Sequence, residues 1–180
     1  AEFEFASFPC LETAKKAKSL AERIQTVVYG DDKGAQFAWK AIANNLIYSA
    51  NRIPEISDTI VEIDNAMKWG FNFEMGPFET WDAIGLTKSI EKMEKDGMAV
   101  PQKVKKMLDA GNTAFYKSEN GKRLYYDFAD ETYKERVVSE NIISLASLKS
   151  TGKVVKENSS ASLVDLGDDV DQGDDPPGTP

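Results

Sequence analysis

Three carboxylates around one glycine-containing connection are the residues whose type and spacing could do chemistry. Glu74, Glu79 and Asp82 flank the sequence Met75-Gly76-Pro77. Paired carboxylates act as general acid and base when burial and a substrate channel tune their pKa values. In the first turn of a helix that begins at Pro77, the same acidic residues would simply be favoured by the helix dipole. The structural interpretation requires no further feature, and we favour it.

Other chemically capable residues are sparse. The chain has no histidine, the usual general base near neutral pH. Its one cysteine, Cys10, has no histidine to activate it, so we expect an inert thiol. Two acidic runs could be considered for calcium, Asp31-Asp32 and the group Asp168, Asp169 and Asp171, but neither has the twelve-residue loop pattern of an EF-hand. The segment 29–34 lacks the Lys-Ser/Thr ending of a phosphate-binding loop. The sequence therefore predicts no catalytic residue, no cofactor-binding residue and no metal site.

Charge and composition narrow the class of protein. The net charge of −8 arises in residues 157–180, which hold seven acidic residues and no Lys or Arg, whereas residues 1–156 hold 23 acidic and 22 basic residues. Without a basic stripe we expect no nucleic-acid partner. No apolar run approaches the roughly 20 residues that span a bilayer, and the N-terminus lacks a signal-peptide pattern. A single cysteine fits a reducing compartment, so the expected location is cytoplasmic.

The elements that must position these residues are mainly helices. Apolar residues at helical spacing predict helices over 11–28 and 35–52, with shorter ones over 87–95 and 101–110. Ile56, Ile60, Ile63 and Met67 form another apolar stripe, with Ser57 or Asp58 as the predicted cap and Gly70 as the predicted end. Pro77 then begins the next helix.

Five aromatic residues surround the connection between those two helices, and we expect its side chains to be packed. They are Trp69, Phe71, Phe73, Phe78 and Trp81.

The second part of the chain has a different character. Phe115-Tyr116, a turn over 118–121 and the segment 123–128 predict a β-hairpin. Short strands are expected at 137–138, 154–155 and 162–166, with one or two helical turns over 144–149. From Gly167 almost no core-forming residue remains, which predicts disorder. The predicted organisation is a helical domain over 1–111, a β-containing extension or linker over 112–166, and an acidic tail over 167–180.

The run IDNAMKWGFNFEMGPFETWDAIGL, with Met67-Lys68-Trp69-Gly70 followed by Gly76-Pro77-Phe78-Glu79, resembles the C-terminal helical region of 3-hydroxyacyl-CoA dehydrogenases. More narrowly, it is similar to bacterial fatty-acid β-oxidation proteins in which that dehydrogenase precedes an enoyl-CoA hydratase. The resemblance extends from about Phe5 to Asp168. It implies a mainly α fold, a helical bundle like the C-terminal domains of 3-hydroxyacyl-CoA and 6-phosphogluconate dehydrogenases, with a small β-containing C-terminal extension.

The resemblance also implies what these residues would not do. Members of the family use a His–Glu pair and NAD, and this sequence has no histidine and no G-x-G-x-x-G turn. The family's catalytic helical unit carries an Asn where this chain has Trp39. The implied role is therefore a distal, non-catalytic helical unit of a dehydrogenase that oxidises 3-hydroxyacyl-CoA to 3-oxoacyl-CoA. NAD would serve as cofactor in the full-length protein only, and the chain alone is expected to be inactive.

Two kinds of partner follow from this interpretation. The first is the set of NAD-binding and hydratase domains of the parent protein, to which a homo-oligomer is an alternative. The second is acyl-CoA, for which Phe71, Phe73, Phe78 and Trp81 are the candidate cleft wall. Aromatic residues at helical spacing are more often simply core. A non-enzymatic helical module that binds a partner subunit or an acyl-CoA is the alternative function.

Overall fold

The computed structural model describes residues 7–119, 122–136, 152–157 and 161–166. The expectations for 137–138, 144–149 and the tail from Gly167 lie outside these residues. The described chain forms seven helices and five strands. The helices are α1 Pro9–Ala14, α2 Leu20–Val28, α3 Lys33–Asn51, α4 Ile60–Phe71, α5 Pro77–Ile84, α6 Leu86–Lys95 and α7 Gln102–Asp109. The strands are β1 Tyr116–Glu119, β2 Lys122–Asp127, β3 Thr132–Glu135, β4 Val154–Glu157 and β5 Ser162–Val164. The mainly α fold with a small β component is confirmed.

Side-chain caps determine where three of the helices begin. Ser19, Asp32 and Thr59 each accept a hydrogen bond from the backbone N–H three residues later, which satisfies one unpaired donor of the first turn. The predicted single helix over 11–28 is wrong, because Ser19 caps a separate helix and residues 15–19 interrupt the run. The predicted cap of α4 is also wrong. Thr59 caps it, and Ser57 instead hydrogen-bonds the Thr59 backbone.

The left-handed residue that ends helix α4 lies two positions later than predicted, at Asn72 instead of Gly70. The helix runs through Gly70, and Asn72 takes the left-handed conformation, with φ of 56°. Asn tolerates this region better than other residues with a Cβ, because its short polar side chain can hydrogen-bond locally. Helix α5 begins at Pro77 as predicted. Helix α6 is capped by Gly85, whose φ is 87°, and not by Thr87.

Helices α3 and α5 are central to the core. Helix α3 buries Trp39, Ala43 and Leu46 and packs on α2 and α5, and α5 also packs on α4 and α6. Phe78, Trp81 and Phe115 are fully buried in the same cluster. The core therefore includes the residue just before β1 as well as helical residues.

The first sheet is antiparallel, in the order β1-β2-β3. Tyr116 pairs with Tyr125, which confirms the predicted hairpin, and β3 is a third strand that was not predicted. Strand β2 packs on α4, so this sheet belongs to the compact unit that extends to Arg136. A second unit, from Val137 onward, contains the antiparallel pair β4–β5, at two of the predicted strand positions. Among the described residues, none of the helices combines the length and apolarity that a membrane span requires.

Candidate functional site

A buried carboxylate on α4 organises the start of α5. Asp64 follows Ile60 by one helical turn, on the apolar face of α4, and is almost inaccessible to solvent. Its carboxylate accepts hydrogen bonds from the backbone N–H groups of Phe78, at 2.8 Å, and Glu79, at 3.1 Å. Because Pro77 has no N–H, these are the first two free donors of α5. Asp64 therefore caps α5 from a neighbouring helix.

Two contacts to Tyr116 attach the sheet to this site. The Tyr116 hydroxyl donates to Asp64 Oδ2 at 2.8 Å. The carboxylate of Asp82, on α5, accepts hydrogen bonds from the backbone N–H groups of Phe115, at 2.7 Å, and Tyr116, at 2.8 Å. Asp64 and Asp82 thus hold the start of β1 against α4 and α5.

Glu79 is engaged on both of its oxygens. Lys68 donates to Oε1 at 2.6 Å, and the Gly76 N–H donates to Oε2 at 3.0 Å. Arg136 lies 4.0 Å from the same Oε1 and also donates to Asn65 of α4 at 3.1 Å. Glu79 therefore links Lys68 of α4 to the backbone of Gly76, just before α5.

The two buried aspartates are electrostatically unusual. Burial raises the pKa of Asp64 to about 6 and that of Asp82 to about 7, against the opposing effect of the N–H groups that each accepts. Burial also opposes ionisation of Glu79, but the hydrogen bonds from Lys68 and Gly76 outweigh it and lower the pKa of Glu79. Burial and the Asp64 carboxylate raise the pKa of Tyr116. This arrangement stabilises a junction of main-chain segments, and none of Asp64, Glu79 and Asp82 lines the groove described below.

The structure does not bring the four predicted aromatic residues to one surface. Phe78 and Trp81 lie in the core, where Phe78 meets Phe115 edge-on at 5.0 Å between ring centres. Trp81 Nε1 donates to Ser89 Oγ at 2.8 Å, which satisfies a buried donor. Phe71 is 69% exposed and Phe73 is 50% exposed. The expectation that the side chains of this connection are packed is wrong for Phe71 and Phe73, and also for Trp69, which is largely exposed.

A groove of about 500 Å³ lies beside these exposed aromatic residues. Leu20 and Ile24 of α2 line it, together with α3, the α4–α5 connection and the first turn of α5. Most of its surface is apolar, and the polar side chains on it are Asn45, Asn72, Glu74 and Thr80. Of the four predicted cleft residues, Phe73 alone is among those lining this groove.

The remaining candidates have ordinary partners. Trp39 Nε1 donates to Asp96 at 2.7 Å. The Cys10 thiol donates to Asp32 at 3.3 Å, and both desolvation and that carboxylate raise the pKa of the thiol, so it carries little thiolate. Within the described ranges no three Asp, Glu or Cys side chains are grouped to hold a metal ion.

Sequence reasoning missed Asp64 and Tyr116. A signal for Asp64 was present, because it is a charged residue on the same helical face as Ile60, and such a residue is buried only with partners. Tyr116 gave no such signal. Its role depends on how β1 meets α4, which is a contact across 52 positions of sequence.

Comparison with known proteins adds two findings. Residues 37–125 match the family model described as "3-hydroxyacyl-CoA dehydrogenase, C-terminal domain". A protein of Bacillus subtilis (strain 168), described as "Probable 3-hydroxyacyl-CoA dehydrogenase", is 48% identical over 164 residues, which are 90% of this chain and 20% of that relative. The chain therefore spans about a fifth of the length of this relative.

Proposed function

We propose that this chain is a non-catalytic helical unit of a 3-hydroxyacyl-CoA dehydrogenase, because residues 37–125 match the family model of the C-terminal domain of that enzyme. In the full-length protein the reaction would be the NAD-dependent oxidation of 3-hydroxyacyl-CoA to 3-oxoacyl-CoA, within fatty-acid β-oxidation. This unit supports the reaction by packing against the other domains, including the NAD-binding domain and a fused enoyl-CoA hydratase. The single cysteine fits a reducing compartment, and we place the protein in the cytoplasm.

The observation that carries this proposal is that the carboxylates at the family motif are occupied by the backbone. Asp64, Glu79 and Asp82 accept main-chain N–H groups from Gly76, Phe78, Glu79, Phe115 and Tyr116. A general base must reach the proton that it removes from the substrate. These carboxylates are instead used to hold α4, α5 and β1 together, and the sequence supplies no histidine for a His–Glu pair.

The alternative is a free-standing interaction module that binds a partner subunit or an acyl-CoA. The apolar groove favours it, because ligand sites are concave and mostly apolar, with a few polar groups. Phe73, Met75 and Ile42 offer an apolar surface there for a chain-like ligand.

An activity assay and a binding experiment together test the proposed scaffold role and the alternative binding module. The purified chain, with NAD and a medium-chain 3-hydroxyacyl-CoA, is expected to form no NADH, and any turnover by the isolated chain would refute the non-catalytic role. Calorimetric titration with a medium-chain acyl-CoA, with NAD as the control ligand, addresses the alternative. Saturable acyl-CoA binding that Phe73→Ser weakens would favour the binding module. Absence of binding, together with gain of activity when the chain is mixed with a separately expressed catalytic part of the relative, would favour the scaffold.

A further inference from the structure

Helix α7 carries three lysines whose ammonium groups have different kinds of partner. The three are Lys103, Lys105 and Lys106. The second and third form ion pairs with Glu94 and Glu131, respectively. Lys103 instead donates to the backbone carbonyl of Ile53, in the segment that follows α3. Within the part of the chain that the structure describes, it has no carboxylate partner. Lys103 is therefore held by a neutral acceptor, whereas the charges of the other two are balanced.

The surroundings of Lys103 are largely apolar. The side chain is half-buried, and its Nζ lies 5.8 Å from the centre of the Phe128 ring. Ile53, whose carbonyl accepts from it, is itself buried. A cation in this position gives up hydration, and neither a carbonyl nor an aromatic ring supplies a full negative charge in its place. Burial accordingly lowers the pKa of Lys103, and no charged group of the described residues contributes to that shift.

The position of Lys103 along α7 acts in the same direction. The helix begins at Gln102, so Lys103 lies in its first turn, where the positive end of the helix dipole disfavours a cation. Lys106 lies in the last turn, where the dipole favours a cation. The hydrogen bond and the charge of Glu131 also raise the pKa of Lys106. One helix thus holds a lysine whose neutral form is favoured and a lysine whose charged form is stabilised.

A neutral amine is a nucleophile, and its protonated form is not. Lysines become nucleophilic near neutral pH when they are desolvated without a compensating anion, which describes Lys103. The side chain is only partly covered, so a reagent in solution can approach it. Lys103 is not among the residues that line the apolar groove. Its reactivity is therefore separate from that candidate ligand site.

We propose that Lys103 is an acylation site, at which the lysine amine accepts an acyl group from a thioester of the acyl-CoA class. The lone pair of Nζ attacks the thioester carbonyl carbon, the C–N bond forms and the C–S bond breaks. The sulfur leaves with the electron pair of that bond and takes up the proton that the nitrogen loses, which gives an amide and a free thiol. No oxidant or reductant is required. This inference does not depend on the proposed function, because the thioester arrives from solution.

Peptide mapping by mass spectrometry tests the proposal on the full 180-residue chain after incubation with acetyl-CoA near neutral pH. Cleavage at acidic residues is suitable, because acetylation of lysine does not alter it. A difference of one pKa unit changes the neutral fraction of an amine about tenfold. Since the pKa values of Lys103 and Lys106 are shifted in opposite directions, Lys103 is expected to be acetylated about tenfold faster or more. Its rate should also level off at a lower pH than that of Lys106.

Two controls connect this preference to the folded structure. Glu131→Gln removes the carboxylate partner of Lys106, so it should raise acetylation of Lys106 and leave that of Lys103 unchanged. Circular dichroism checks that this variant is folded. In guanidinium chloride the two lysines should react at equal rates, because burial, the helix and the ion pair are then lost.

Three results would overturn the proposal. The first is acetylation of Lys103 that is no faster than that of Lys106 in the folded chain. The second is a preference for Lys103 that persists in guanidinium chloride, since the fold would then not be its cause. The third is preferential reaction of Lys103 with acetic anhydride but not with acetyl-CoA, because the amine would then be activated but out of reach of a thioester.

Discussion

Tyr116 donates its hydroxyl proton to Asp64 across 2.8 Å, and this contact joins the first strand to the helix that carries the most buried carboxylate of the described chain. The same Asp64 caps α5 through Phe78 and Glu79. One side chain therefore connects a helix, the next helix and a sheet.

Replacing Tyr116 with Phe is expected to lower the free energy of unfolding by about 1–3 kcal/mol, because a buried carboxylate loses one of its three donors. Chemical denaturation measures this. Tyr125→Phe is the control, since Tyr125 is the strand neighbour of Tyr116 and its hydroxyl has no hydrogen bond among the described residues. Equal losses in the two variants would show that the hydroxyl of Tyr116 contributes nothing particular.

Gly76→Ala is expected to be strongly destabilising, because a Cβ at this position would lie 2.4 Å from the Cα, Cβ and Cγ atoms of Asp64. Backbone or side chain must then shift, and overpacking of this kind costs about 1–3 kcal/mol or more. Thermal unfolding measures the loss.

The matched control is Gly70→Ala, at a helical position with open space around it. Alanine there should leave stability unchanged or raise it by up to about 1 kcal/mol, through helix propensity. If both glycine variants behave alike, the close approach to Asp64 is not what requires glycine at position 76.

The stability of the protein is expected to fall as the pH rises from about 4 to about 7. Burial raises the pKa of Asp64 to about 6 and of Asp82 to about 7, both above the ordinary value of 3.8. The folded state therefore binds these protons more tightly than the unfolded state. The stability that they contribute is complete below the ordinary value and is lost as the pH passes through the raised values.

The variant Asp82→Asn tests whether the free energy of unfolding falls with rising pH for this reason. At about 1.4 kcal/mol per pKa unit, a pKa raised from 3.8 to about 7 corresponds to about 4 kcal/mol of pH dependence. The variant should flatten the curve of unfolding free energy against pH by a large part of that amount. Asp109→Asn, on the exposed end of α7, should leave the curve unchanged. A stability that instead rises over this pH range in the unsubstituted chain would contradict the prediction.

Ser89→Ala is expected to cost about 1–3 kcal/mol, because it leaves the buried Nε1–H of Trp81 without an acceptor. A double-mutant cycle with Trp81→Phe isolates the hydrogen bond. In the Trp81→Phe background the serine substitution should cost much less, since the donor is then absent. Additive losses would show that the hydrogen bond is not the cause.

The sequence predicted the elements that depend on local signals. The positions of α5 and α7 and of the β1–β2 hairpin could be predicted from Pro77, Pro101 and the Asn-Gly dipeptide in the sequence between the two strands. Helix ends were less predictable, because several adjacent residues could cap the same helix. Ser57, Asp58 and Thr59 are all good caps, and the choice of Thr59 depends on the path of the chain into α4.

The candidate site was predictable in composition and not in geometry. The carboxylates Glu79 and Asp82 were singled out, and their partners lie on other elements, at Lys68, Phe115 and Tyr116. The burial of individual aromatic residues could not be predicted from the sequence either. Phe71 and Phe78 are the same residue type seven positions apart, yet Phe71, the last residue of α4, is largely exposed and Phe78 packs on Phe115.

The two outer strands of the first sheet carry charged residues along their length. Strand β1 has Lys117 and Glu119, and β3 has Lys134 and Glu135, while β2 lies between them. Charged edges, lysine above all, discourage another strand from adding to a sheet. Concentrated solutions of this protein should therefore be protected against fibrillar aggregation through this sheet.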